Sequence, residues 1–257
     1  MAPPPDGAPR VESVQREHYD QIARAYEDHY SDEHSTTYRR RFINQPLTRG
    51  LDLAGKEVLD AMCGAGDTSA YLEELGARVT GLDNSPEMIA RYAANHPGCR
   101  AVCGSITDSG LPAASFDAVV IVGGLHHLHP HLDEGVSEIH RLLRPGGWFC
   151  FGEPPAGSVL DLFRRVWYRL DRAYFAANEE AVDLDGLARR FADRFRTGEP
   201  LYMGNLAYLL VFSSMIFRMP KPLKQLYSPA LLALERPIQA LQGRRSACFA
   251  IGQWQKR

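Results

Sequence analysis

The chain reads as an α/β protein built on a doubly wound parallel sheet, and three observations predict this. Five short apolar segments alternate with helical stretches between residues 56 and 153. The first segment runs into a glycine-bearing turn, Cys63-Gly64-Ala65-Gly66. The second ends in an acid, Asp83, about twenty residues beyond the first strand, as at the ligand-binding edge of such sheets.

The elements follow in order. Residues 1–10 (MAPPPDGAPR) are proline-rich and predict a disordered tail with no signal-peptide pattern. Residues 11–30 predict a helix, with Tyr19, Ile22, Ala23 and Tyr26 at spacings of three and four, and residues 36–49 predict a second. KEVLDA (56–61) is the first strand. Residues 67–75 form a helix ended by Gly76. ARVTGLD (77–83) is the second strand, after which Ser85-Pro86-Glu87 opens a helix with a cap, a first-turn proline and an acid. CRAVCGS (99–105) and the almost wholly apolar FDAVVIVG (116–123) are strands three and four, the latter patterned for burial on both faces. A helix over 132–143, a Pro145-Gly146-Gly147 turn and the strand WFCFGE (148–153) complete the alternation, which implies right-handed crossovers. Further helices are expected at 158–176, 181–195, 206–217 and 229–241, with a last strand in SACFAIGQW (246–254).

Composition narrows the function classes. Of 257 residues 45% are hydrophobic and 23% charged, ordinary for a globular chain. The 29 basic against 31 acidic side chains, net −2, argue against a dedicated nucleic-acid binder. Five cysteines without paired CxxC spacing suggest neither a disulfide framework nor a zinc ribbon, so the expected setting is reduced and cytoplasmic, with no metal. The charge-free stretch PLYMGNLAYLLVFSSMIF (200–217) reaches only the lower length limit of a membrane span, and Pro200, Gly204, Asn205, Ser213 and Ser214 dilute it. A buried strand-plus-helix or a membrane-touching face is expected instead. The last forty residues carry eight basic side chains against one acid, Glu235. They predict either peripheral contact with an anionic membrane or a solvated basic surface.

The ligand follows from the turn after strand one. A dinucleotide would need G-x-G-x-x-G, but Gly64-Ala65-Gly66-Asp67-Thr68-Ser69 lacks the third glycine, and Asp67 would repel a pyrophosphate at the helix start. The acid at the end of strand one, Asp60, suits a ligand with an ammonium group and no phosphate, such as S-adenosylmethionine. Asp83 is placed to accept from both hydroxyls of its ribose.

With VLDAMCGAGDTSAYL, VTGLDNSPEMI, GSITDSGLPAASFDAVV, GGLHHL and LLRPGGW, the chain resembles a class I S-adenosylmethionine-dependent methyltransferase of the group that includes ubiquinone and menaquinone biosynthesis enzymes. The resemblance spans roughly residues 19–153 and implies a Rossmann-like sheet of seven strands. It implies that Asp60 and Gly64, in one loop with Ala61 and Met62, hold the methionine end of the cofactor and Asp83 the ribose. Asn84 and Met88 would lie against the adenine, where Ser105 and Ile106 occupy the place of a usual Asp-Ala pair. Val122 would face the sulfonium, Arg41 would neutralise the cofactor carboxylate, and Tyr19 or Tyr26 would close the pocket. Met62 stands where the group has its first glycine.

His126, His127, His129 and His131 follow strand four, where methyl donor and acceptor should meet. His126 or His127 is a candidate general base, the alternative being that the pair shapes the pocket wall. Glu153 either orients substrate or binds backbone N–H groups. The expected organisation is N-terminal helices over 11–50 that close the site, a cofactor core over 51–155, a helical cap over 156–245 that selects a small or amphipathic acceptor, and a final core strand over 246–257. The activity expected is methyl transfer to oxygen, carbon or nitrogen. A methyltransferase-fold protein that binds the cofactor or a partner without methylating is the alternative.

Overall fold

The computed structural model describes residues 32–159, 161, 180–213 and 219–257, with Lys221 by its backbone alone. The tail at 1–10, the helix expected at 11–30 with Tyr19 and Tyr26, most of that expected at 158–176, and positions 214–217 lie outside the described residues.

Eight strands make one mixed sheet: β1 (Glu57–Ala61), β2 (Arg78–Asp83), β3 (Arg100–Cys103), β4 (Phe116–Val122), β5 (Leu143–Glu153), β6 (Phe195–Thr197), β7 (Leu201–Met203) and β8 (Phe249–Lys256). Their order is β3-β2-β1-β4-β5-β8-β6, with β7 also paired to β8. The first five are parallel, and β8 runs antiparallel to β5. β6 pairs with residues 254–256 of β8 and β7 with residues 249–251, so the two short strands share one edge. Where seven strands are expected, the sheet has eight among the described residues.

The helices follow their caps. Asp32 accepts the N–H groups of His34 and Ser35 and starts α1 (Glu33–Tyr38), earlier than the expected residue 36. A π-helical turn, Arg39–Asn44, carries the chain into α2 (Gln45–Leu47). α3 (Asp67–Glu74) and α4 (Pro86–Asn95) flank β2, with Ser85 accepting the Met88 N–H at 3.1 Å. α5 (Leu132–Leu142) precedes β5.

Two later expectations need correction. The helix read over 181–195 is only α6 (Leu184–Arg190), because Asp183 caps it by accepting from Gly186 and Phe195 is drawn into β6. The last helix is α7 (Lys221–Gln239), which starts eight residues before the expected Pro229 and contains both Pro229 and Pro237. The strand-plus-helix reading of 200–217 holds over its described part, where β7 leads to a helical turn, Tyr208–Phe212. No helix among the described residues is long and apolar enough to cross a membrane.

Alternation along the strands builds two cores. Leu59, Val119, Ile121, Phe149 and Phe151 pack with Val136 and Ile139 of α5, Leu187 of α6 and Trp254 of β8. Val58, Ala118, Val120 and Cys150 face the other way, toward Tyr38, Phe42, Ile43, Leu47, Met203 and Val211. The chain reverses direction across the sheet between β1 and β4, and ligands bind beyond the carboxyl ends at such a switch point.

Candidate functional site

Two turns meet at that switch point. The turn after β1 contains three residues in the left-handed region, Met62 at φ 56°, Gly64 at φ 53° and Gly66 at φ 100°. Glycine adopts this conformation freely, and a Cβ built at Gly64 would meet nothing within 4 Å, so the backbone there faces open space. Asp83, at the end of β2, fixes the turn from the side: one carboxylate oxygen accepts from Gly64 N–H at 2.9 Å, the other from Ser85 N–H at 3.0 Å. Its side chain remains half-buried.

The turn after β4 is held in a parallel manner. Glu153, at the end of β5 and 0% exposed, accepts from the N–H groups of Gly124 at 2.8 Å and Leu125 at 2.7 Å. Its second oxygen lies 2.8 Å from His126 Nδ1. Burial pushes this carboxyl up to about 7, against the pull of its backbone donors. The His126 and His127 rings lie 3.9 Å apart, His127 being buried. The backbone-binding reading of Glu153 is the one the structure bears out, and the residue reaches any ligand only through His126.

Met62 joins the two turns. A Cβ at Gly124 would lie 2.8 Å from Met62 Sδ, so this side chain packs against the histidine turn. Ala61 is buried behind it and Val122 lies half-buried at the end of β4. On the other side of β2, Met88 and Ile106 are buried and apolar, Asn84 is half-buried, and the Ser105 and Thr107 hydroxyls are 2.8 Å apart.

Asp60 and Arg41 sit differently from the other expected contacts. Asp60 is 2% exposed and accepts from Ser69 Oγ at 2.7 Å, and burial pushes its carboxyl up to about 7. It braces the start of α3 from within. Arg41 is exposed, whereas Arg39 reaches Asp67 at 2.8 Å and lies 5.3 Å over the Phe212 ring. Arg39 thereby links the start of α3 to an aromatic group in which Tyr38 stacks on Phe212 at 5.5 Å and Tyr208 tilts against Phe249 at 5.6 Å. Helical phase was the missed signal: Arg39, Phe42 and Ile43 share an inward stripe that Arg41 leaves.

The basic C-terminal region is partly internal. Lys224 is 2% exposed and bonds Asp32 and Ser35, Arg244 pairs with Asp185, and Lys256 donates to the carbonyls of His140 and Leu143.

Residues 59–151 match the methyltransferase domain family. The chain is 38% identical over 134 residues to an uncharacterised methyltransferase of Synechocystis, spanning 48% of this chain and 63% of that protein. It is 38% identical over 104 residues to a fatty-acid O-methyltransferase of Mycolicibacterium smegmatis, spanning 39% and 38%. Both alignments thus cover less than two thirds of the relative's length. A solved S-adenosylmethionine-dependent methyltransferase from Archaeoglobus fulgidus shares the fold with a TM-score of 0.60 at 18% identity, over 91% of this chain and 98% of that one. The glycine turn, the acid at the end of β2 and the reversal between β1 and β4 all fall in or beside the stretch that matches the methyltransferase domain family, and the sheet that carries them has the class I, Rossmann-like fold.

Proposed function

We propose that the protein is an S-adenosylmethionine-dependent methyltransferase acting on an apolar or amphipathic small-molecule acceptor. The observation that carries this reading is the meeting of the two carboxylate-held turns through Met62 and Gly124. The residues present fit the cofactor. The Gly64 backbone faces open space, Asp83 offers a half-buried carboxylate for ribose hydroxyls, and Met88 and Ile106 offer apolar surface for adenine, flanked by Asn84 and Ser105. Val122 and Met62 border the sulfonium side, while Asp60 supports the methionine end from behind Ser69. When bound, S-adenosylmethionine supplies a methyl group already activated by a positive sulfur.

The chain's own part is orientation and proton handling. Donation from His126 Nδ1 to Glu153 leaves Nε2 as the acceptor, and Nε2 takes the proton of an acceptor hydroxyl or acid. His127, stacked beside it, is the second candidate and otherwise forms wall. Holding donor and acceptor in line supplies the rest of the acceleration. The aromatic group around Tyr38, Tyr208 and Phe212 favours an apolar acceptor, as does similarity to a protein named for fatty acids. Because Lys224 and Lys256 are bonded internally, the basic segment offers little of the continuous charged face that membrane attachment needs.

Calorimetry with S-adenosylmethionine, followed by mass detection of a methylated product from a panel of fatty acids, phenols and quinols, tests this. Binding with product from the apolar members is expected. Absent binding by folded protein would overturn the reading, and binding without product from any acceptor class would favour a non-methylating binder.

A further inference from the structure

Beneath the cofactor-side turn, outside the machinery described above, three chemically unlike donors converge. His96 closes the C-terminal end of α4, its backbone N–H bonded to the Tyr92 carbonyl at 2.8 Å. Its ring is buried and packs under Gly66, where an added Cβ would lie 2.3 Å from Nε2. The other ring nitrogen, Nδ1, meets Glu73 Oε2 of α3 at 2.6 Å. His96-Pro97-Gly98-Cys99 is a tight turn, closed by the Cys99 N–H donating to the His96 carbonyl at 3.0 Å, and it returns the Cys99 thiol to the same place. Ligand atoms of Glu73, His96 and Cys99 all lie within 4.8 Å of one another.

We propose that Glu73, His96 and Cys99 form a binding site for a zinc-class divalent cation. A carboxylate, an imidazole and a thiolate are the donor types that borderline-soft Zn²⁺ takes, whereas Ca²⁺ and Mg²⁺ require oxygen donors. Three protein ligands leave the fourth tetrahedral position to water. On binding, the Cys99 S–H bond breaks, its proton passes to solvent, and a metal–sulfur bond forms. The His96 Nδ1–Glu73 hydrogen bond breaks, its proton moving through solvent to His96 Nε2, and Nδ1 and the Glu73 carboxylate each bond the ion. Such an ion ties α3 to the turn after α4 and pins the His96 ring under Gly66. The site needs neither cofactor nor acceptor, so its test is independent of methyl transfer.

The full chain, stripped with chelator and titrated with Co²⁺, should take up one equivalent. Thiolate charge-transfer absorption and tetrahedral visible bands should appear, and one equivalent of Zn²⁺ should displace them. Cys99→Ser should lose the charge-transfer band, and Glu73→Gln, at a partly exposed ligand, should weaken the metal by at least about ten-fold. Cys103→Ser, at an exposed thiol four residues on, should change neither. Zn²⁺ should raise the melting temperature of the wild type and not of Cys99→Ser. A folded wild type without charge-transfer absorption, or a spectrum that survives Cys99→Ser, would overturn the site.

Discussion

Asp83 and Glu153 perform the same task at two places on one sheet edge. Each ends a strand, and each holds the turn that follows a neighbouring strand by accepting backbone N–H groups. They differ in solvent: Asp83 stays half-buried, while Glu153 is sealed at 0% exposure and bonded to a histidine ring. A partly hydrated carboxylate can order its turn and still meet a ligand. A sealed one can only order, and it acts on chemistry through the group it aligns. The comparison teaches that position at a strand end does not settle a carboxylate's role; its remaining solvent does.

The largest effect that would sharpen this contrast is at the sealed acid. Glu153→Ala strands several buried donors and should cost about 3–5 kcal/mol in chemical denaturation, as for breaking a buried pair. Glu153→Gln should cost less and should remove a pH dependence. Because burial raises the folded carboxyl to about 7, its favourable balance is complete below the unfolded value and is lost as pH rises through 7. Wild-type stability should therefore fall from pH 5 to pH 8 relative to the glutamine variant, and parallel curves would break the assignment.

Next, His126→Ala should lower turnover by about 10²-fold or more at saturating acceptor with cofactor affinity nearly intact. A larger loss in His127→Ala would transfer the base to the stacked ring. Asp83→Ala should instead weaken cofactor binding by about 1–3 kcal/mol in calorimetry, since ribose hydroxyls lose a charged acceptor. Unchanged affinity would show that Asp83 also only orders its turn, and the contrast would collapse. The smallest effect is at the bridge between the turns. Met62→Ala loses packing yet keeps a side chain at φ 56°, so Met62→Gly should be more stable than Met62→Ala by about 1 kcal/mol. Equal melting temperatures would mean that the left-handed conformation carries no cost there.

The first four strands were legible to within two residues because each is marked twice, by an apolar run and by a cap, glycine or proline at its end; β5 was read from Trp148 but starts at Leu143, because the Pro145-Gly146-Gly147 segment read as a turn runs on in the strand. The late elements lack that redundancy. Phe195–Thr197 is a strand only because β8 lies beside it, a partner over fifty residues away in sequence. α7 inverts the usual pattern: Lys224, Ser228 and Glu235 are buried while Leu226 and Leu234 are 80% and 50% exposed, so hydropathy does not mark its inward face, and Pro229 pointed to the wrong start. The places of Asp83 at the end of β2 and of the histidine pair after β4 were legible from the strand pattern. Glu153's inward bonds, the inward turn of Arg39 where Arg41 points out, and the meeting of Glu73 with His96 depend on side-chain direction, which spacing alone does not carry.

That inverted helix has a mechanical consequence. Lys224 engages Asp32 and Ser35 near one end of α7, and Glu235 accepts from Tyr38 Oη at 2.8 Å nearer the other. Apolar side chains tolerate sliding, whereas these directional pairs do not: a shift of one turn, about 5.4 Å, would part both at once. α7 is thus keyed to α1 in a single register, like a bolt with two teeth. Because Tyr38 also stacks on Phe212, that register also fixes where this aromatic group sits.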